Sequence, residues 1–498
     1  MARTVRAATP LFEGAEWDFD TLRRSYDAIA KVAAEELELN TYPNQVEIIS
    51  SEQMLDAYSS IGMPLMYHHW SFGKRFMHDE QLYRKGAQGL AYEIVINSNP
   101  CISYCMEDNT MALQALVIAH AAFGHNHFFR NNHLFRQWTD ADGILDYLDY
   151  ARTYVTQCEE RYGAREVEHL LDAAHALMPA SVFRHRRLPS ASLREEAARR
   201  RERQEEEERS ANYLWDTLDR AVRPSEADEE VRERKRRMGL PEENLLYFLE
   251  RHSPILKPWQ REVLRIVRNI AQYFYPQRQT KVMNEGCACF VHYYITNALH
   301  DAGQLTDGAM LEILHNHTNV VTQPGYGTPG HATFNPYAIG FAMMQDIRRI
   351  CEAPTEEDRE WFPDIAGAKD WRGVLKDAWA NYRDESFVQQ FLSPKVMRDY
   401  RMFALTDDEG DPFYTVNAIH DERGYRELRA ALARSLDVSV NDPDIHVSDV
   451  DLLGDRRLRL RHIQRDGVPL DPATRDATLG YLGQLWGYEV ALDEIRSE

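Results

Sequence analysis

Cysteine is scarce in this chain, with six among 498 residues. They are too few and too scattered for a disulfide framework, which points to a reducing compartment. No apolar run approaches the ~18 residues that a membrane helix needs. The most apolar stretch, Ala112 to Phe123, is interrupted by Gln114 and His120. The N-terminal segment has two arginines but no apolar run before it turns acidic, so the expectation is a cytoplasmic protein without a secretion signal. Positive charge is also short: 58 Lys and Arg against 79 Asp and Glu give a net charge of −21. Such a surface repels the phosphates of nucleic acid and of anionic lipid, so nucleic acid is not expected, and without a long apolar run neither is membrane insertion. A Gly-rich phosphate loop, a kinase signature and a Gly-x-Ser-x-Gly elbow are all missing. Gly325-Tyr326-Gly327 lacks the preceding strand and following helix of a nucleotide fingerprint.

Core material is plentiful. Hydrophobic residues make up 44% of the chain and aromatics 11%, which excludes a largely disordered protein. Apolar spacing predicts helices over 17–39 (capped by Asp18 or Asp20), 51–60, 109–129, 259–273, 283–300, 338–351 and 371–392. Two more fill 142–178, broken near Tyr162-Gly163. Alternating β-branched runs predict strands at 45–49 and 90–97. The charge-dense stretches 194–209 and 226–237 read as solvated helical insertions. Residues 315–337, rich in Pro and Gly, read as a long functional loop. A composition shift near residue 395 opens a segment of order ββαββαβ. The expected fold is mainly α with short β-strands, zincin-like as one form it could take, plus a small C-terminal α+β domain. The large helical domain would cover 1–394, with a charged insertion at about 190–237, and the small one 395–498.

Three histidine-rich segments carry the candidate chemistry. In the first, His120 to His127, the His-Glu-x-x-His signature fails, because Gly124 stands at i+4 and no Glu follows His120. On an α-helix His125 lies ~140° around from His120, whereas His127 returns to its face. His120 and His125 can share a metal only if Gly124 loosens the helix. In the second segment Glu285 and His292 lie seven residues apart on one helix face, with Cys289 between them. A carboxylate and an imidazole from a second helix would complete a metal site begun by two histidines; the alternative is a buried helix with satisfied polar groups. Cys287-x-Cys289 does not match zinc-ribbon spacing. The third segment, His315-Asn316-His317, heads the Gly/Pro loop, with His331 further along. These histidines could be ligands, acid/base groups or plain polar loop residues. His68-His69 reads the same way. Glu93, among apolar neighbours in a strand, is either buried and paired or on the solvent face.

Several strings occur in a fixed order: Tyr42-Pro43-Asn44-Gln45, Gly62-Met63-Pro64, Tyr67-His68-His69-Trp70, Tyr92 to Asn97, and His120 to Asn132. Asn284-Glu285-Gly286, His315-Asn316-His317 and Asn335-Pro336-Tyr337 follow. Together they resemble the stage V sporulation protein R (SpoVR) family over nearly the whole chain. The resemblance implies a cytoplasmic bacterial protein, tied in spore-formers to the peptidoglycan cortex. Elsewhere it implies a stress or stationary-phase module with a PrkA-type serine kinase and a von Willebrand A-like protein as partners. It implies no settled reaction. In the family pattern the positions of His120 and His125 belong to the motif while that of His127 varies, which favours the His120/His125 pair. The expectation is a metal-dependent hydrolase of amidase or peptidase type. His120, His125 and Glu285 would hold a divalent metal, zinc ahead of iron. His292 would be a fourth ligand or an orienter, and His315 or His317 the catalytic base. The alternative is a non-enzymatic regulatory scaffold acting with the kinase and the von Willebrand A-like protein.

Overall fold

The helix Lys281–Asp301 (α2 below) is apolar on nearly every side, with Val282, Met283, Cys287, Ala288, Cys289, Phe290 and Val291 all buried. A helix of that kind belongs in the middle of a fold. The computed structural model describes residues 9–60, 66–72, 74, 77–78, 93–184, 238–325, 334–406, 412, 415–452, 454–465 and 469–496. The charged stretches 194–209 and 226–237 lie outside the described residues. The chain divides into two units, one of Met1–Glu168 with Tyr273–Asn441 and one of His169–Gln272 with Asp442–Glu498. Both mix helices with small sheets, and helix dominates. Among the described residues no helix is long and apolar enough to cross a membrane.

In the first unit β1 (Asn44–Ile49), β2 (Glu93–Ile96) and β3 (Cys101–Met106) form one sheet in the order β1-β3-β2. β1 runs parallel to β3 and β2 antiparallel to it. The central strand was not foreseen. Its sequence, CISYCM, is buried on both faces, and such strands lose the alternation by which half-buried ones are recognised. Helix α1 (Met111–Ile118) follows, with Thr110 accepting from the Leu113 N–H as its cap. The helices Phe19–Glu35 and Ser51–Ser59 fall where expected, capped by Asp18 and by a Ser50/Gln53 capping box.

Helix α3 (Asp307–Val320) departs from the expected loop: it is capped by Thr306 and carries both His315 and His317. Helix α4 (Pro336–Glu352) starts where Asn335 accepts from the Tyr337 N–H. Residues 395–441, expected to open the C-terminal domain, place Val396, Met397, Ala418, Tyr425 and Leu428 in the first unit's core. The order ββαββαβ does appear, but its first two strands, Ala404–Thr406 and Thr415–Ala418, form their own sheet. In the second unit Ile445–Val450 pairs antiparallel with Leu458–Gln464, which pairs parallel with Val490–Arg496.

Two features fix α2. Its first turn is held by Asp384, whose carboxylate accepts from the Val282 and Met283 N–H groups at 2.8 Å each. Its flank lies against α4 at Gly286 and Gly340. A Cβ on Gly286 would stand 2.6 Å from the Gly340 backbone, and one on Gly340 2.2 Å from the Val282 carbonyl oxygen. Gly340→Ala therefore has no room and is expected to lower stability by about 1–3 kcal/mol, read from urea unfolding of the full chain. An unchanged midpoint would contradict the close helix contact.

Candidate metal centre

Directly after α1 the helix widens. Residues Ala119–His125 adopt π geometry, each turn closing on i→i+5 hydrogen bonds. Residues five apart then fall on one side. His120 and His125 meet edge to face, with ring centroids 4.6 Å apart. Gly124 permits the approach of α2, since a Cβ there would lie 2.5 Å from the Ala288 Cα. Glu285, one turn before Ala288, is thereby brought to the two imidazoles. The far end of the π turn is tied to β1: the Asn126 side chain accepts from the Tyr42 N–H and donates to the Tyr42 carbonyl and to Asn44 Oδ1. His127 turns away from the pair, with Nδ1 against the Asn40 backbone and its ring on Trp379.

Four side chains converge. His120 Nε2 lies 3.6 Å from Glu93 Oε1 and 4.0 Å from Glu285 Oε2, and His125 Nε2 lies 3.5 Å from Glu285 Oε2. Glu93, His120 and His125 each offer a ligand atom within one 4.8 Å grouping. The histidines are 5% and 8% exposed at their side chains, against 21% for Glu93 and 15% for Glu285, so the centre opens on its carboxylate side. The Tyr337 hydroxyl, at the start of α4, hydrogen-bonds Glu285.

Burial sets the protonation. It pushes Glu93 and Glu285 each up to about 7, and it holds His120, His125 and His292 below the ordinary imidazole value. The histidines are neutral at pH 7. His125 Nδ1 stands 2.9 Å from Asn284 Oδ1, an acceptor, so its single proton sits on Nδ1 and Nε2 presents a lone pair. That lone pair faces Glu285 Oε2, a buried oxygen with no hydrogen-bond partner. Two acceptors confront each other at 3.5 Å, an arrangement that costs free energy unless a cation or a proton joins them. Ligands on bonds of ~2.0–2.2 Å at a tetrahedral metal lie about 3.4 Å apart. Two imidazole nitrogens and the Glu285 carboxylate at these separations fit a divalent ion of the zinc or iron class, with the Glu93 carboxylate beside it.

The remaining candidates divide. His292 lies behind His120, on the side away from Glu93, with the two Nδ1 atoms 2.9 Å apart. His317 joins through His292, Nδ1 to Nε2 at 2.8 Å. Cys289 shares a second 4.8 Å grouping with His120 and His292, but burial drives its thiol well above the ordinary value. His315, two residues and ~200° around α3 from His317, is exposed and turned to Asn319. It does not enter the cluster. His69 bonds Ser71, and His331 lies outside the described residues. Glu93 is the residue that sequence reasoning left open. Its only signal was a carboxylate within an otherwise apolar β-run.

The carboxylate energetics give a test. Glu285 has a folded-state value raised above its unfolded one, so its contribution to stability is full below about 4.5 and is lost as the pH rises through 7. Glu285→Gln removes that loss, and its amide supplies a donor to His125 Nε2. In chelator, the variant is expected to be more stable than the parent by on the order of 2 kcal/mol at pH 8 and to converge with it near pH 5. Denaturant titrations at the two pH values check this, and equal stability at pH 8 would contradict the acceptor conflict.

Two family descriptions together match nearly the whole chain. Residues 16–441 match the family described as SpoVR like protein, and residues 443–497 match the SpoVR-like C-terminal domain. The "Uncharacterized protein YcgB" of Escherichia coli (strain K12) is 54% identical over 489 residues, spanning 98% of this chain and 94% of the relative. No solved structure matches. By both family matches and this relative, the chain belongs to the SpoVR family.

Proposed function

We propose that the chain is a metal-dependent hydrolase acting on amide bonds, with His120, His125 and Glu285 as metal ligands and Glu93 as the acid/base carboxylate. The observation that carries this reading is the pairing of the His125 Nε2 lone pair with the partnerless Glu285 Oε2 at 3.5 Å. A divalent ion bound there would supply Lewis acidity, polarising a carbonyl and acidifying a water. Glu93 has the properties of a general base. It faces the same His120 Nε2 as Glu285 does, it is the most open of the four groups, and burial places it near 7, where it can both take and return a proton. In this reading Glu93 takes the proton of the attacking water and delivers it to the leaving nitrogen. Asn284 orients His125, and Tyr337 orients Glu285. Because Glu93 fills the base role, neither His315 nor His317 is needed for it. The tie to peptidoglycan that the family resemblance implies makes peptidoglycan-type amides the substrates to try first.

The test uses untagged full chain loaded with zinc or with iron(II), assayed on soluble peptidoglycan fragments for release of free amine. His125→Ala is expected to lose both bound metal and turnover. Glu93→Gln is expected to keep the metal while losing about 10²–10⁴-fold in rate. Full activity in Glu93→Gln, or activity that survives removal of the metal, would overturn the assignment.

A further inference from the structure

Behind the centre, His120, His292 and His317 make an unbroken line of imidazoles supplied by the π turn, α2 and α3. His120 Nδ1 meets His292 Nδ1 at 2.9 Å, and His292 Nε2 meets His317 Nδ1 at 2.8 Å. The rings are fixed: His292 and His317 stand edge to face with centroids 5.0 Å apart, and His317 is clasped by Phe341 and Tyr293 at 4.6 and 5.1 Å. All three are buried. The Ala288 carbonyl, one turn before His292, lies beside both His120 and His292. Cys289 is the other polar side chain grouped with His120 and His292.

A neutral imidazole carries one N–H, and each link in this line joins two ring nitrogens, so each link holds one hydrogen. Placing one proton therefore places them all, and the line has two registers in which both links are made. In the outward register His120 Nδ1–H donates to His292 Nδ1 and His292 Nε2–H donates to His317 Nδ1. His120 Nε2 is then a bare lone pair aimed at Glu93 and Glu285. In the inward register every donor reverses, and His120 Nε2 carries a hydrogen toward those carboxylates. A metal can bind His120 Nε2 in the outward register alone.

We infer that His292 and His317 are positioning residues that commit His120 to its ligand tautomer, so that loading of the centre is coupled to a concerted tautomer change along three imidazoles. This rests on the metal reading proposed above. It assigns work to His317, which lies two links from the centre and touches none of its ligands. The net protonation of the line is the same in both registers, so the device responds to occupancy rather than to pH.

Asparagine discriminates this role from simple packing, because Asn Oδ1 occupies the place of His Nδ1 and accepts from His292 Nε2–H. Zinc affinity is measured by chelator competition on the full chain and on His317→Leu and His317→Asn, with thermal unfolding as the folding control. His317→Leu is expected to bind zinc about 10–100-fold more weakly, and His317→Asn to recover most of that loss. In parent protein labelled with ¹⁵N-histidine, zinc should shift the His292 and His317 nitrogens to the outward pattern. If His317→Leu folds and binds zinc like the parent, or if His317→Asn is as weak as His317→Leu, the inference is overturned while the metal reading stands. If the parent itself binds no zinc, the metal reading fails and takes this inference with it.

Discussion

The centre depends on how closely one buried helix can approach a π turn. Gly124 and Ala288 set that distance, because any Cβ on the glycine would enter the partner backbone. Three consequences follow from the single contact. The π geometry sets His120 edge to face with His125 rather than turning them ~140° apart. The contact brings Glu285 to within 3.5 Å of His125. It also sets His292 directly behind His120. The supports lie further out: Asp384 at the first turn of α2, the Gly286–Gly340 crossing with α4, and Asn126 against the start of β1. Together they make one rigid frame with small residues where helices touch and polar residues where helices begin.

That frame holds a costly arrangement. An ionised carboxylate taken from water loses several kcal/mol of solvation unless something positive replaces it, and here two carboxylates share the wall of one centre. The histidines beside them cannot supply the charge, since burial keeps both neutral and the neighbouring imidazoles add to the effect at His120. Folded proteins retain such conflicts mainly where function requires them, and π turns mark such places often. The chemistry that relieves the conflict is a cation held by Nε2 and carboxylate oxygen, which is also the chemistry that activates an amide for hydrolysis.

The legibility of these features in the sequence followed how local their causes are. Helix positions and caps such as Asp18 were readable because spacing and capping act over a few residues. The central strand β3 was not, because burial on both faces erases alternation. Helix α3 was hidden by the Gly/Pro-rich segment after it, which drew His315 and His317 into an expected loop. Within the centre, His120, His125 and Glu285 could be listed as candidates, but the α-helical rule set the first two on different faces, and only the π turn reconciles them. Glu93 could not be placed, because its partners come from residues 27 and more positions away and from a strand order that local sequence does not encode. The role of His317 was equally invisible, since it arises from a chain of contacts between three separate elements.

The most direct measurement is anomalous diffraction at the zinc and iron edges from crystals of the untagged full chain, purified without chelator. The account predicts one strong peak within bonding distance of His120 Nε2, His125 Nε2 and Glu285 Oε2. A structure in which metal is supplied in excess and no peak appears there, with a hydrogen bond from a protonated Glu285 to His125 in its place, would contradict it.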